Sequence, residues 1–323
     1  MFGIESLACM NILLTGASGN IGTSTLHELV RQGHRVRCLV RRPAALERPA
    51  RRFPDKIEIV VGDIRRAAEL ATAMEGQDVV IHMAYMLPPA SEDRPELARS
   101  INVDGTRTLL DAARVSPKSP RFFFASSFDV FGHTQDQPPP RKVSDPVQAT
   151  DHYTSHKIAC EEMVKASGLE WAIFRFADVP PLGLRSPHPI MFRIPLATRF
   201  EVIHTYDAGL AVANGIRSDD IWNRVLLIGG GPTCQMLYRD YLGRMLEMMG
   251  IGILPESAFG SEPYSTDWLD TEESQRLLHY QRYSFDDIMQ QLTRIVGYKR
   301  RLAALTRPAA RWWILRMSPY YKA

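Results

Sequence analysis

Cysteine is scarce in this chain and widely scattered. Cys9, Cys38, Cys160 and Cys234 form no Cys-x-x-Cys pair and no Cys/His ligand spacing, which excludes a disulfide-stapled scaffold and a zinc site and suits thiols in a reducing compartment. The first residues, Met1-Phe-Gly-Ile-Glu-Ser6, have neither a basic region nor a continuous apolar stretch, so no secretory leader is read there. Nowhere does an apolar run reach the ~18 residues that a spanning helix needs. Internal repeats are lacking too, and Pro138-Pro-Pro140 is the lone low-complexity stretch. The expected location is cytoplasmic.

Acidic residues are missing from one region. Between Tyr298 and Ala323 stand seven basic residues (Lys299, Arg300, Arg301, Arg307, Arg311, Arg316 and Lys322) and no acidic one, leaving 32 basic against 36 acidic before them. A mildly acidic body excludes a nucleic-acid face spread over the domain, because such a face needs clustered cations. The tail interleaves its cations with Trp312, Trp313, Tyr320 and Tyr321. That mixture suits a peripheral membrane contact, but the favoured reading is a segment docked on its own domain or on a second subunit, because it is short and broken by Pro308 and Pro319.

What is present is the balance of a globular enzyme: 323 residues, 45% hydrophobic and 23% charged. That is enough for one large α/β unit or a large domain with a smaller partner. Apolar runs at 10–15, 35–40, 57–61, 78–82, 121–126 and 171–176 read as strands. Helical patterns at 20–32, 67–74, 95–114 and 152–167 alternate with them. Such alternation predicts a Rossmann-type doubly wound parallel sheet over residues 1–178. Beyond it, dense Pro and Gly predict a small substrate-binding lobe over 179–298, with a strand at 225–228 returning to the sheet and helices at 236–249 and 286–296, before a basic aromatic tail at 299–323.

The strongest local signal is Thr15-Gly-Ala-Ser-Gly-Asn-Ile-Gly22, between the first strand and the first helix. Gly16 takes the turn, Gly19 admits a pyrophosphate, Gly22 lets helix and strand pack, and Ser18, Asn20 and Ile21 complete the cradle at the helix N-terminus. An NAD-selective site puts an acid at the end of the second strand. Here Val40 is followed by Arg41 and Arg42, two guanidinium groups suited to a 2′-phosphate, so NADP is expected over NAD. A solvated turn is the other reading of that pair. Asp63, with Ile64, is placed to touch the adenine, though turn capping explains an Asp there equally.

Tyr153 and Lys157 lie four apart on one helix face, where an ammonium can favour the phenolate of an otherwise weakly acidic tyrosine. Ser126 and Ser127 end the fifth strand, where such sheets open into a ligand crevice, and a hydroxyl there can hold a substrate oxygen. Tyr85, Met86, Leu87, Phe128, Phe131, Met191 and Phe192 either flank that pocket or belong to the core. If they line it, the substrate is bulky and mainly apolar.

With Gly62-Asp-Ile64, His82-Met-Ala84, Ile101-Asn-Val-Asp-Gly-Thr106, Ser126-Ser-Phe-Asp-Val-Phe-Gly132 and Arg175-Phe-Ala-Asp178 in order, the chain resembles the extended short-chain dehydrogenase/reductases, also described as the NAD-dependent epimerase/dehydratase family, over about residues 10 to 297. The resemblance implies that Tyr153 is the proton donor or acceptor, that Lys157 binds the nicotinamide ribose and tunes Tyr153, and that Ser127 holds the substrate oxygen. It places Ala84 and Phe176 along the cofactor, Asn102 behind the catalytic helix or its water, and Asp178 toward the substrate. It also implies a homodimer acting on a small molecule, with no metal. Phe131 stands where the family's tyrosine is usual, Tyr85 where a small residue is common, and Asp178 where asparagine is frequent. The stretch 175–204 is short for a nucleotide-sugar enzyme and offers Arg185, Arg193 and Arg199 as phosphate partners. A nucleotide-sugar epimerase or dehydratase and a non-catalytic NADP-binding sensor or scaffold are the rival functions.

Overall fold

In the computed structural model, residues 9–183, 187–297 and 307–322 are described. Seven parallel strands make the central sheet, in the order β3-β2-β1-β4-β5-β6-β8. They are β1 (Asn11–Thr15), β2 (Arg35–Val40), β3 (Ile57–Val61), β4 (Val79–His82), β5 (Arg121–Ser127), β6 (Trp171–Phe176) and β8 (Arg224–Ile228). Alternate residues along a strand face opposite sides. Ile12, Leu14 and Phe123 accordingly pack on one face, while Leu13, Phe122 and Phe124 pack on the other. Helices cover both faces, which is why these strands read as continuous apolar runs.

One face carries α1 (Asn20–Arg31) and the other α3 (Ala67–Met74), α6 (Gly105–Val115) and α7 (His152–Lys165), with α2 (Ala44–Arg52), α4 (Ala90–Asp93) and α5 (Pro95–Arg99) between strands. The single helix expected over 95–114 is broken by a π-helical turn, Ser100–Asp104. The strand order reverses direction about β1 and β4, so their carboxyl ends open the crevice where doubly wound sheets bind ligands.

A second core lies after β6, around Phe192, Phe200, Tyr238, Leu242, Leu246, Phe285, Ile288 and Leu292. It rests on a two-stranded antiparallel sheet, β7 (Arg199–Glu201) with β9 (Gln235–Leu237), and on α9 (Tyr238–Met248) and α11 (Phe285–Val296). The helix expected from Met236 thus begins two residues later, because Met236 pairs with Phe200. Helix α8 (Thr205–Gly215) had no sequence signal. It is buried on nearly every side, so it has no amphipathic stripe. It lies along α1, where Ser24 and Thr205 hydroxyls meet at 3.1 Å. Helix α10 (Glu272–Leu278) leads into α11, and α12 (Arg307–Leu315) closes the described chain. No helix among the described residues is long and apolar enough to cross a membrane.

Candidate active site

The chain leaves β1 through Gly16, whose φ of +76° is left-handed and where a Cβ would come within 2.6 Å of the Met83 carbonyl carbon. At Gly22 a Cβ would lie 2.1 Å from the Gly16 carbonyl oxygen. Only glycine fits either position. Helix α1 then starts with no side chain capping its N-terminus and no acid in its first turn. Its first N–H groups and positive end therefore face the rim formed by exposed Ser18, Gly19 and Asn20, with Ile21 half-buried behind. These residues fit the pyrophosphate of a dinucleotide. Asn20 also anchors the rim to the lobe, donating to the Val179 carbonyl at 2.7 Å.

Buried His82 fixes the facing wall. Thr106 Oγ1 donates to the Asn102 carbonyl at 2.5 Å, so it accepts from His82 Nε2 at 2.9 Å; His82 Nδ1 then accepts from Thr15 Oγ1 at 2.8 Å. Thr15 in turn accepts from the Met83 and Ala84 N–H groups at 3.2 Å. The series needs a neutral ring, and burial holds His82 down at about 3, with Lys157 acting in the same sense. Half-buried Ala84 is thereby set beside the glycine loop. Asn102, itself fully buried, clamps the Met86 backbone at 2.7 and 3.0 Å, and its carbonyl receives Cys160 Sγ from α7 at 3.2 Å. Asn102 thus ties the Met86 backbone to α7.

Arg41 and Arg42 are exposed just past β2, and among the described residues neither has an ion-pair partner. The Asp63 carboxylate is occupied by Arg65 at 2.5 and 2.9 Å, which holds it down at about 2. Ile64 is buried beside it.

Helix α7 opens with a capping box between Asp151 and Thr154, which sets its first turn and so aims Tyr153 and Lys157 at the end of β5. Lys157 is buried. Its Nζ donates to the Ala125 carbonyl at 2.6 Å, sits 3.5 Å over the Tyr85 ring and lies 5.8 Å from the centre of the Tyr153 ring. Burial brings it down to about 7. Tyr153 meets Tyr85 edge-on at 5.8 Å. Burial and then the Asp129 carboxyl push its phenol above the ordinary value, while a hydrogen bond with Ser127 acts the other way.

Ser127 Oγ donates to Asp129 Oδ2 at 3.0 Å. Ser127 Oγ also accepts from the Asp129 N–H at 3.3 Å, so this hydroxyl and carboxyl are held together next to the Tyr153 phenol. Burial pushes Asp129 up to about 7; the Ser127 hydrogen bond opposes this, Asp178 and Asp151 add to it, and Lys157 opposes it. Ser126 is turned away, donating to Glu161 at 2.6 Å beneath the sheet end. The two serines therefore separate, and Ser127 faces the crevice.

Residue type alone does not single out Asp129, His82 or Tyr264, although the first two lie within the motifs at 126–132 and 82–84. Tyr264 has no local signal. It comes from the lobe, and its phenol is pushed up by burial and then by Asp129, Asp178 and Asp151. Tyr85 and Met86 are half-buried at the mouth, whereas Phe128 and Phe176 are buried in the core and Asp178 pairs with the lobe backbone. Arg199 is committed to Asp267 at 2.6 and 3.0 Å, Arg193 is exposed, and Arg185 lies outside the described residues.

The model of the NAD dependent epimerase/dehydratase family matches residues 12–180. The chain belongs to that family. Among curated relatives, a 3-beta-hydroxysteroid dehydrogenase of Mycolicibacterium neoaurum is 30% identical over 178 residues, 54% of this chain and 47% of that protein. Sterol demethylase protein B of Methylococcus capsulatus is 34% identical over 126 residues, 38% of this chain and 36% of that protein. This chain thus spans less than half the length of these two relatives. A dTDP-glucose 4,6-dehydratase of Streptomyces venezuelae, solved with NAD, shares the fold at a TM-score of 0.75 and 24% identity, over 89% of this chain and 97% of that one.

Proposed function

We propose that this chain catalyses hydride transfer between NADP(H) and an oxygen-bearing carbon of a mainly apolar small molecule. The observation that carries this reading is the Ser127–Asp129 pair at the crevice end of β5, set beside the Tyr153 phenol and buried Lys157. When bound, the nicotinamide supplies or accepts the hydride. This chain's own groups manage the oxygen and its proton. In the reductive direction protonated Asp129 donates to Ser127 Oγ, which frees the Ser127 proton to hold the carbonyl oxygen while Tyr153 protonates that oxygen. Once the alcohol leaves, the Ser127 proton passes to the Tyr153 phenolate and the Asp129 proton to Ser127. Lys157, next to these groups, supplies the positive field and a ribose contact. In the oxidative direction the same protons run backward to Asp129.

NADP is inferred from Arg41 and Arg42, which carry no ion pair among the described residues and stand where an NAD-selective acid would be. An apolar substrate is supported by Tyr85 and Met86 at the mouth and by Arg199, which Asp267 already holds and which is therefore no phosphate ligand. The steroid and sterol proteins among the relatives point the same way. The test is to follow nicotinamide absorbance with NADPH and NADH against hydroxy- and ketosteroids and against UDP-, GDP- and dTDP-sugars. Turnover of steroids with preference for NADPH is expected. Turnover of sugar nucleotides alone, or tight NADPH binding with no turnover of any compound, would overturn it.

A further inference from the structure

The described part of the basic aromatic tail bonds to the lobe, and its two faces differ. Ile314 and Ser318 are buried against the lobe, and Ser318 donates to the Ala258 carbonyl at 2.6 Å. Arg307 donates to the Ile251 carbonyl at 3.1 Å, and Arg311 to those of Ile251 and Ile253 at 3.2 and 2.6 Å. Helix α12 is thus fixed in rotation. About 100° per residue then separates its sides, and the outer side presents Trp312 and Trp313, 56% and 51% exposed, while Ile253, whose carbonyl Arg311 holds, is 65% exposed. Arg316, one turn beyond Trp312, lies 4.7 Å over its ring. No acidic residue follows Asp287 in the sequence.

We propose that this face is a docking surface for an anionic phospholipid bilayer, with Trp312, Trp313 and Ile253 entering the headgroup region and Arg316 and Lys322 meeting lipid phosphates. Indole rings anchored beside guanidinium groups match the interface chemically, one part apolar and one part cationic. A two-fold contact between copies fits worse, since it would set Arg316 and Lys322 against their own equivalents with no acidic residue in the tail to offset them. The lobe segment that holds the tail is itself tied to the lobe core, Gly260 donating to the Phe192 carbonyl at 2.8 Å.

Full-length protein is sedimented with vesicles of phosphatidylcholine alone and of phosphatidylcholine mixed equally with phosphatidylserine. Binding to the mixed vesicles, weakened by salt and reduced about ten-fold or more in Trp312→Ala/Trp313→Ala and measurably in Arg316→Glu, is expected. NADPH affinity of each variant serves as the control for folding, because none of these residues is in the crevice. Failure of the wild type to sediment with anionic vesicles, binding indifferent to both variants, or a dimer in light scattering that the tryptophan variant dissociates would each overturn the assignment.

Discussion

Ser126 and Ser127 are neighbours on β5, and each donates to a buried or half-buried carboxyl, yet the two regions they enter behave in opposite ways. Below the sheet end, Glu161 accepts from Ser126 and from Arg175 at 3.0 and 2.7 Å. Burial alone would raise its pKa, but Arg175 and Ser126 bring it below the ordinary value, so it stays ionised. The Arg175 guanidinium in turn lies 5.0 Å over the Phe131 ring. In the crevice, no cation pairs directly with Asp129 among the described residues, and its carboxyl rises to about 7. A carboxyl with a fixed charge cements the sheet end. One poised near neutrality can pass a proton.

The comparison breaks first at Tyr153. Removing its hydroxyl (Tyr153→Phe) takes the proton from the crevice and leaves the cement intact, so kcat is expected to fall about 10³-fold. NADPH affinity and thermal midpoint should stay near the wild type. Retained turnover would remove Tyr153 from the mechanism. On the other side, Arg175→Met strands Glu161 as an unpaired buried charge, with an expected loss of about 3 kcal/mol or more in urea unfolding. A loss below about 1 kcal/mol would show that Ser126 and Lys165, 3.7 Å away, are sufficient partners.

Much of the frame was legible beforehand because fully covered parallel strands leave long apolar runs, and because Gly16 and Gly22 answer to backbone clashes that only glycine avoids. Choosing Ser127 over Ser126 needed the resemblance. Strand alternation sends adjacent side chains to opposite faces but does not say which face holds the crevice. Helix α8 escaped because small residues buried all round have no period to read. Tyr264 and the Arg175–Glu161 pair escaped for another reason: their partners are distant in sequence, and spacing carries no trace of such contacts.

Asp129→Asn gives the smallest and sharpest test. Amide for carboxyl keeps the size and an acceptor for Ser127 but removes the titrating proton. In the wild type, Asp129 is a proton donor below about pH 7 and an acceptor above it, so reduction should be favoured on the acid side and oxidation on the basic side, with a step in kcat near neutrality. The variant should lose that step and retain a modest rate at each extreme. Stability carries the same sign. A carboxyl raised from 3.8 to about 7 contributes stability that is complete below 3.8 and is lost as pH rises through 7. The Asn variant lacks this loss, so its advantage over the wild type should grow across that window and level off above it. Glu201, raised to about 7 by burial and fully enclosed, imposes its own slope equally on both proteins. A step in kcat that survives unchanged in Asp129→Asn would assign the titration to Lys157, the other crevice group brought to about 7, and would end the proton route through Ser127.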